Sequence, residues 1–143
     1  MRYLLMVSHG TMAPGVKSVI DMLLGPREEL LAYSMEDGVG ADAYVEGVRQ
    51  TIAPIKPEDS VVVLGDIMGG SPLTNALNTL TEAGLLGNTM AFGGLNLAMA
   101  IAALMGFDDG LDDAALKASI LSDGKEAVRE IQLQVEDEDE DDL

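Results

Sequence analysis

Short apolar runs and longer amphipathic stretches alternate from the start of the chain, and this rhythm constrains the fold more than any other feature. Residues 3–8, 29–34, 61–64 and 89–92 read as strands. Residues 14–24, 41–53, 72–83 and 96–105 read as helices, with a further helix over 111–121. The run Val61, Val62, Val63, Leu64, flanked by Ser60 and Gly65, has the composition of a strand buried on both faces. In the second helix Tyr44, Val45, Val48 and Ile52 share one face. Strands alternating with helices imply an α/β fold: an open, mostly parallel sheet covered by helices on both faces. A flavodoxin-like order, 2-1-3-4, makes strands one and three neighbours at the topological switch point, where ligands of open sheets bind. After Gly124 the pattern changes. Ile131, Leu133 and Val135 alternate with Gln132 and Gln134, which is expected of a half-exposed strand that joins the sheet edge antiparallel or pairs with another subunit.

Length and charge narrow the function. At 143 residues and 48% hydrophobic content the chain supports one domain with one substantial core. With aromatics at 3%, that core is built from aliphatic residues and from nine methionines that read as gap-fillers. The absence of cysteine excludes disulfides, thiol catalysis and cysteine-ligated metals. A net charge of −17 argues against nucleic acid as a partner. Much of that charge lies in the acidic run 136–142, so the expected division is a domain over 1–135 and a disordered acidic tail over 136–143. The amino terminus lacks a signal-peptide pattern, and the apolar stretch 95–105 is too short to span a bilayer. A soluble, cytoplasmic protein is expected.

Two segments carry chemistry. The chain's one histidine, His9, ends the first strand and is followed by Gly10. Asp66 follows the third strand and opens Gly65-Asp66-Ile67-Met68-Gly69-Gly70-Ser71-Pro72. Ser71 reads as a helix N-cap ahead of Pro72, and Gly69 and Gly70 allow close backbone approach to a ligand. In the 2-1-3-4 order, His9 and Asp66 face one crevice beside a helix amino end, where free N–H groups favour an anion. Each segment alone also fits an ordinary turn. An aspartate bonded to one imidazole nitrogen leaves the other free as base, metal ligand or nucleophile. One His and one Asp are too few for zinc, and no metal is expected. Ser71 lacks the G-x-S-x-G elbow of a serine hydrolase. Attack on phosphorus uses the full set best, and no P-loop lysine motif accompanies it. Gly38-Val39-Gly40-Ala41-Asp42-Ala43 matches a dinucleotide-binding fingerprint but follows the second strand; a glycine-rich turn before a helix is the simpler reading.

With these residues in view, the chain resembles the IIA component of the mannose-family sugar phosphotransferase system (PTS). The likeness is carried by Ser8-His9-Gly10, by Asp66 with Gly69-Gly70-Ser71-Pro72, and by Gly94-Leu95-Asn96-Leu97. The resemblance implies four parallel strands, with a fifth, antiparallel strand exchanged in a homodimer; residues 131–135 are the candidate. It implies that His9 accepts a phosphoryl group from phospho-HPr and passes it to the IIB component, which serves the membrane IIC and IID subunits. Asp66 would orient His9, and Gly10, Gly69, Gly70 and Ser71 would surround the phosphoryl oxygens. No cofactor is implied. Leu73-Thr74-Asn75 departs from the commoner aromatic residue followed by Asn, which leaves open which residues line the site beyond Pro72. Some relatives continue into a fused IIB domain, whereas a separate IIA protein is expected here. Two other readings are the phosphotransfer subunit of dihydroxyacetone kinase and an anion- or nucleotide-binding regulatory module without chemistry.

Overall fold

The computed structural model describes residues 1–134. Four strands, β1 (Arg2–His9), β2 (Leu30–Met35), β3 (Ser60–Gly65) and β4 (Thr89–Phe92), form one all-parallel sheet in the order β2-β1-β3-β4. Its helices are α1 (Met12–Leu24), α2 (Ala41–Ile52), α3 (Ser71–Glu82), α4 (Leu97–Asp108) and α5 (Asp113–Glu126), with a 3-10 turn at Leu86–Asn88. The α/β architecture and the 2-1-3-4 order are those expected from the sequence.

Strand periodicity divides the core in two. Leu4 and Met6 of β1 and Val62 and Leu64 of β3 point to one face, where α1, α4 and α5 cover them with Ile20, Met99, Leu104, Leu116 and Ile120. Tyr3, Leu5, Val7, Val61 and Val63 point to the other, under Tyr44 and Val48 of α2 and Leu73, Ala76 and Leu80 of α3. Because β1 and β3 are buried on both faces, their continuous apolar runs are a requirement of this architecture.

Helix ends depart from the expected boundaries for identifiable reasons. Gly70, not Ser71, is the N-cap of α3, so Ser71 and Pro72 are its first two residues. Gly69 at φ 81° turns the chain so that Gly70 donates to the Ile67 carbonyl at 3.0 Å, and the helix then begins one residue early. Asn96 caps α4, accepting from the Met99 N–H at 2.9 Å, and Asp112 caps α5, accepting from the Ala115 N–H at 2.8 Å. Helix α5 runs through Gly124, because that glycine lies against Met99 of α4, where a side chain would crowd the neighbouring helix.

Residues 131–134 form no strand in the single chain, and Ile131 and Leu133 are 77% and 86% exposed. Val135 and the acidic run 136–142 lie outside the described residues.

Candidate active site

Both chemistry-bearing segments emerge at the carboxyl ends of the two central strands. Ser8, fully buried, accepts from the Ala13 N–H at 2.8 Å. That bond satisfies an otherwise free donor in the first turn of α1 and sets the tight turn between β1 and the helix. Gly10, at φ 59°, donates its N–H to the Met35 carbonyl at 2.9 Å and fastens the turn to the end of β2. His9 is thereby presented at the rim with its side chain 47% exposed.

Asp66 leaves β3 one residue past Gly65 and folds back onto His9. Its Oδ2 accepts from the His9 main-chain N–H and pairs with the ring Nδ1, each at 2.9 Å, while Oδ1 accepts from the Ile67 N–H at 2.9 Å. Burial, with the side chain only 12% exposed, pushes the carboxyl pKa up. The bonds from the His9 backbone and ring and from Ile67, together with the charge of His9, outweigh it and hold the group below the usual carboxylate range. An ionised carboxylate only accepts, so Nδ1 carries a proton, and in the ring's neutral form the lone pair is on Nε2.

The third wall is the start of α3. A Cβ added to Gly70 would stand 3.1 Å from His9 Cε1, so the bare backbone there is what lets the helix terminus approach the ring. The Gly70 N–H is taken by Ile67 and Pro72 has none, which leaves the Ser71 and Leu73 N–H groups ahead of the first intrahelical bond, from Thr74 to Gly70. On the other side of His9 an open crevice is lined by Gly10, Met35, Glu36, Asp37 and Val39. Gly38, at φ 85°, closes the turn in which Val39 donates to Glu36, and Gly40 caps α2. The apparent dinucleotide fingerprint is this turn. Among the described residues, no group of three or more His, Cys, Asp or Glu side chains is placed to hold a metal ion.

The family emerges from comparison. Residues 3–121 match the model for EIIA-man, described as the PTS system fructose IIA component. The chain belongs to this family. A curated relative, the PTS system mannose-specific EIIAB component of Escherichia coli K12, is 26% identical over 122 residues, covering 85% of this chain and 37% of the relative. The chain thus spans little more than a third of the curated relatives it matches. Among solved structures, the phosphotransferase system component EIIA from Streptococcus agalactiae superposes with a TM-score of 0.76 at 19% identity, covering 91% of this chain and 97% of that one. The mannose/sorbose-specific IIA subunit from Enterococcus faecalis superposes at 0.73 with 24% identity, covering 94% and 97%. At such identities these superpositions speak to the fold.

The structure brings His9, Asp66, Gly70 and the first turn of α3 together, with Gly10 and Gly69 shaping the turns beside them. Two further polar side chains lie at the site beyond the residues expected there from the sequence. Tyr44, fully buried on α2, donates its hydroxyl to the Pro72 carbonyl at 2.9 Å; burial, then the nearby Asp66 charge, raises its pKa. Asn75 donates its side-chain Nδ2 to Ser71 Oγ at 2.9 Å. Tyr44 reads in the sequence as one more member of an apolar face. Asn75 becomes visible only once α3 is known to start at Ser71, which places the two side chains one turn apart.

Proposed function

We propose that the chain is a phosphocarrier of a sugar phosphotransferase system, accepting a phosphoryl group from phospho-HPr on His9 Nε2 and passing it to a IIB component. The observation that carries this reading is the 2.9 Å pairing of His9 Nδ1 with Asp66 at the switch point, which leaves Nε2 as the nucleophile. In the step, the P–N bond of the donor phosphohistidine breaks as the bond from His9 Nε2 to phosphorus forms. The donor nitrogen recovers its lone pair. The Nδ1 proton stays on His9, so the phosphorylated ring is an imidazolium, and the Asp66 carboxylate lies against the charge that develops. The crevice residues beside His9 include Glu36 and Asp37 and no lysine or arginine. The phosphoryl oxygens are met instead by the Ser71 side chain and by N–H groups and the dipole at the start of α3.

Among the described residues the edge of β4 is unpaired, and with the exposed Ile131 and Leu133 this supports a homodimer in which the segment adds to a partner's sheet. Among the described residues no helix is long and apolar enough to cross a membrane. As the family likeness implies, the IIC and IID subunits are reached through IIB.

The test is intact mass after incubation with phosphoenolpyruvate, enzyme I and HPr. An acid-labile gain of about 80 Da that is absent from His9→Ala is expected of a phosphohistidine intermediate. No gain on folded protein, alongside a working control acceptor, overturns the reading.

A further inference from the structure

We infer that Asn75 is a positioning residue that sets the Ser71 hydroxyl as a hydrogen-bond donor to the phosphoryl group; the inference rests on the phosphocarrier reading above. Ser71 is the first residue of α3, next to the Gly70 backbone that abuts the His9 ring. A serine hydroxyl has one proton and two acceptor lone pairs. Asn75 Nδ2 donates into one of those lone pairs at 2.9 Å, so the Ser71 proton is directed to another acceptor. Donation into the oxygen also polarises its O–H bond and makes it a better donor. A phosphoryl group on Nε2 brings three anionic oxygens to a wall where no lysine or arginine lines the adjoining crevice, so one oriented hydroxyl carries weight.

The geometry that holds Asn75 in place is local. It stands four residues after Ser71, the helical spacing at which side chains meet, and its main-chain carbonyl accepts from Thr79 Oγ1 at 2.7 Å. The side-chain bond to Ser71 is exposed, and the bond from the buried Thr79 goes to the Asn75 main chain, which a side-chain substitution keeps. Removing the Asn75 side chain therefore perturbs the hydroxyl rather than the fold, and alanine is the better helix former. Beyond Pro72, Leu73 is buried under the sheet, whereas Asn75 turns back to the site.

The experiment is a double-mutant cycle on the full chain with Asn75→Ala, Ser71→Ala and the combined variant. Two quantities are read by intact mass: the rate of phosphoryl acceptance from phospho-HPr and the hydrolytic half-life of the phosphoprotein. Ser71→Ala is expected to slow acceptance about tenfold and Asn75→Ala about threefold, the scale of losing or misdirecting one charge-assisted hydrogen bond. In the Ser71→Ala background, the Asn75 substitution is expected to do nothing further. A general structural role would give the same loss in both backgrounds, and that result overturns the inference. So does an Asn75→Ala variant that matches wild type while wild type is phosphorylated. No label on wild type overturns the phosphocarrier reading itself, and this inference with it.

Discussion

Replacing Asp66 with asparagine keeps the side chain's size while changing what it offers His9. The carboxylate accepts from the His9 backbone, from the ring and from Ile67; asparagine has a single acceptor oxygen for those three donors. If its NH2 group faces the ring, Nδ1 must accept, and the proton moves to Nε2, where it blocks attack. The charge is lost as well. At the 2.9 Å separation, two unit charges attract by about 1.4 kcal/mol under fully aqueous screening and by about 6 kcal/mol at an effective dielectric of about 20. With the histidine half exposed and the aspartate nearly buried, about 3 kcal/mol is a fair intermediate, consistent with a charge-assisted hydrogen bond. In the proposed step a neutral ring becomes cationic as the P–N bond forms, so this stabilisation acts on the transition state. The expected loss in phosphoryl acceptance is on the order of 100-fold. A quenched time course of the acid-labile mass on Asp66→Asn measures it. A change of less than about threefold on folded protein would refute the role given to Asp66.

The same geometry sets three further outcomes. Gly70→Ala places a Cβ 3.1 Å from His9 Cε1 and 3.2 Å from the Ile67 carbonyl, so acceptance should fall about tenfold with the helical circular dichroism unchanged; unaltered kinetics would show that the close approach is idle. Tyr44→Phe removes the bond to the Pro72 carbonyl and should cost about 1 kcal/mol, read as a melting point lower by about 3 °C; an unchanged melting point would contradict the tie between α2 and α3. Arg27 holds the Asp108 carboxyl below its ordinary range through a two-pronged pair at 2.8 Å, so the pair's contribution is complete above the unfolded value of about 3.9 and is lost as pH falls through the lower folded value. Wild type should therefore lose its stability margin over Asp108→Asn on acidification through that window. Parallel melting curves for the two proteins would exclude this linkage.

The sheet was legible because burial on both faces leaves an unmistakable residue pattern in β1 and β3, and the spacing of intervening helices forces parallel pairing. His9 and Asp66 could be assigned to one rim for the same reason: each directly follows a buried run. What the sequence obscured lies at helix ends and between helices. Ser71 has the residue type of an N-cap, yet the cap falls on Gly70, because a left-handed Gly69 and the Ile67 carbonyl start the helix earlier. Gly124 looks like a breaker and is instead a point of close contact between α5 and α4, a property of packing that local propensity does not record. The Asn75–Ser71 bond depends on that one-residue shift at Gly70. The alternation of 131–135 reads as a strand, but residues 131–134 form none in the single chain, and Val135 falls outside the described residues.

In the proposed phosphocarrier, His9 carries the phosphoryl group on Nε2 while Nδ1 keeps its proton and donates it in a hydrogen bond to Asp66. Because His9 is the chain's one histidine, labelling with 15N-histidine gives a single imidazole signal set. Nitrogen–phosphorus coupling in the protein phosphorylated through HPr locates the new bond directly. Coupling to Nε2, with a protonated Nδ1 that loses its distinctive shift in Asp66→Asn, is the expected result. Coupling to Nδ1, or phosphorylated protein whose imidazole nitrogens show no coupling to phosphorus, would contradict the account.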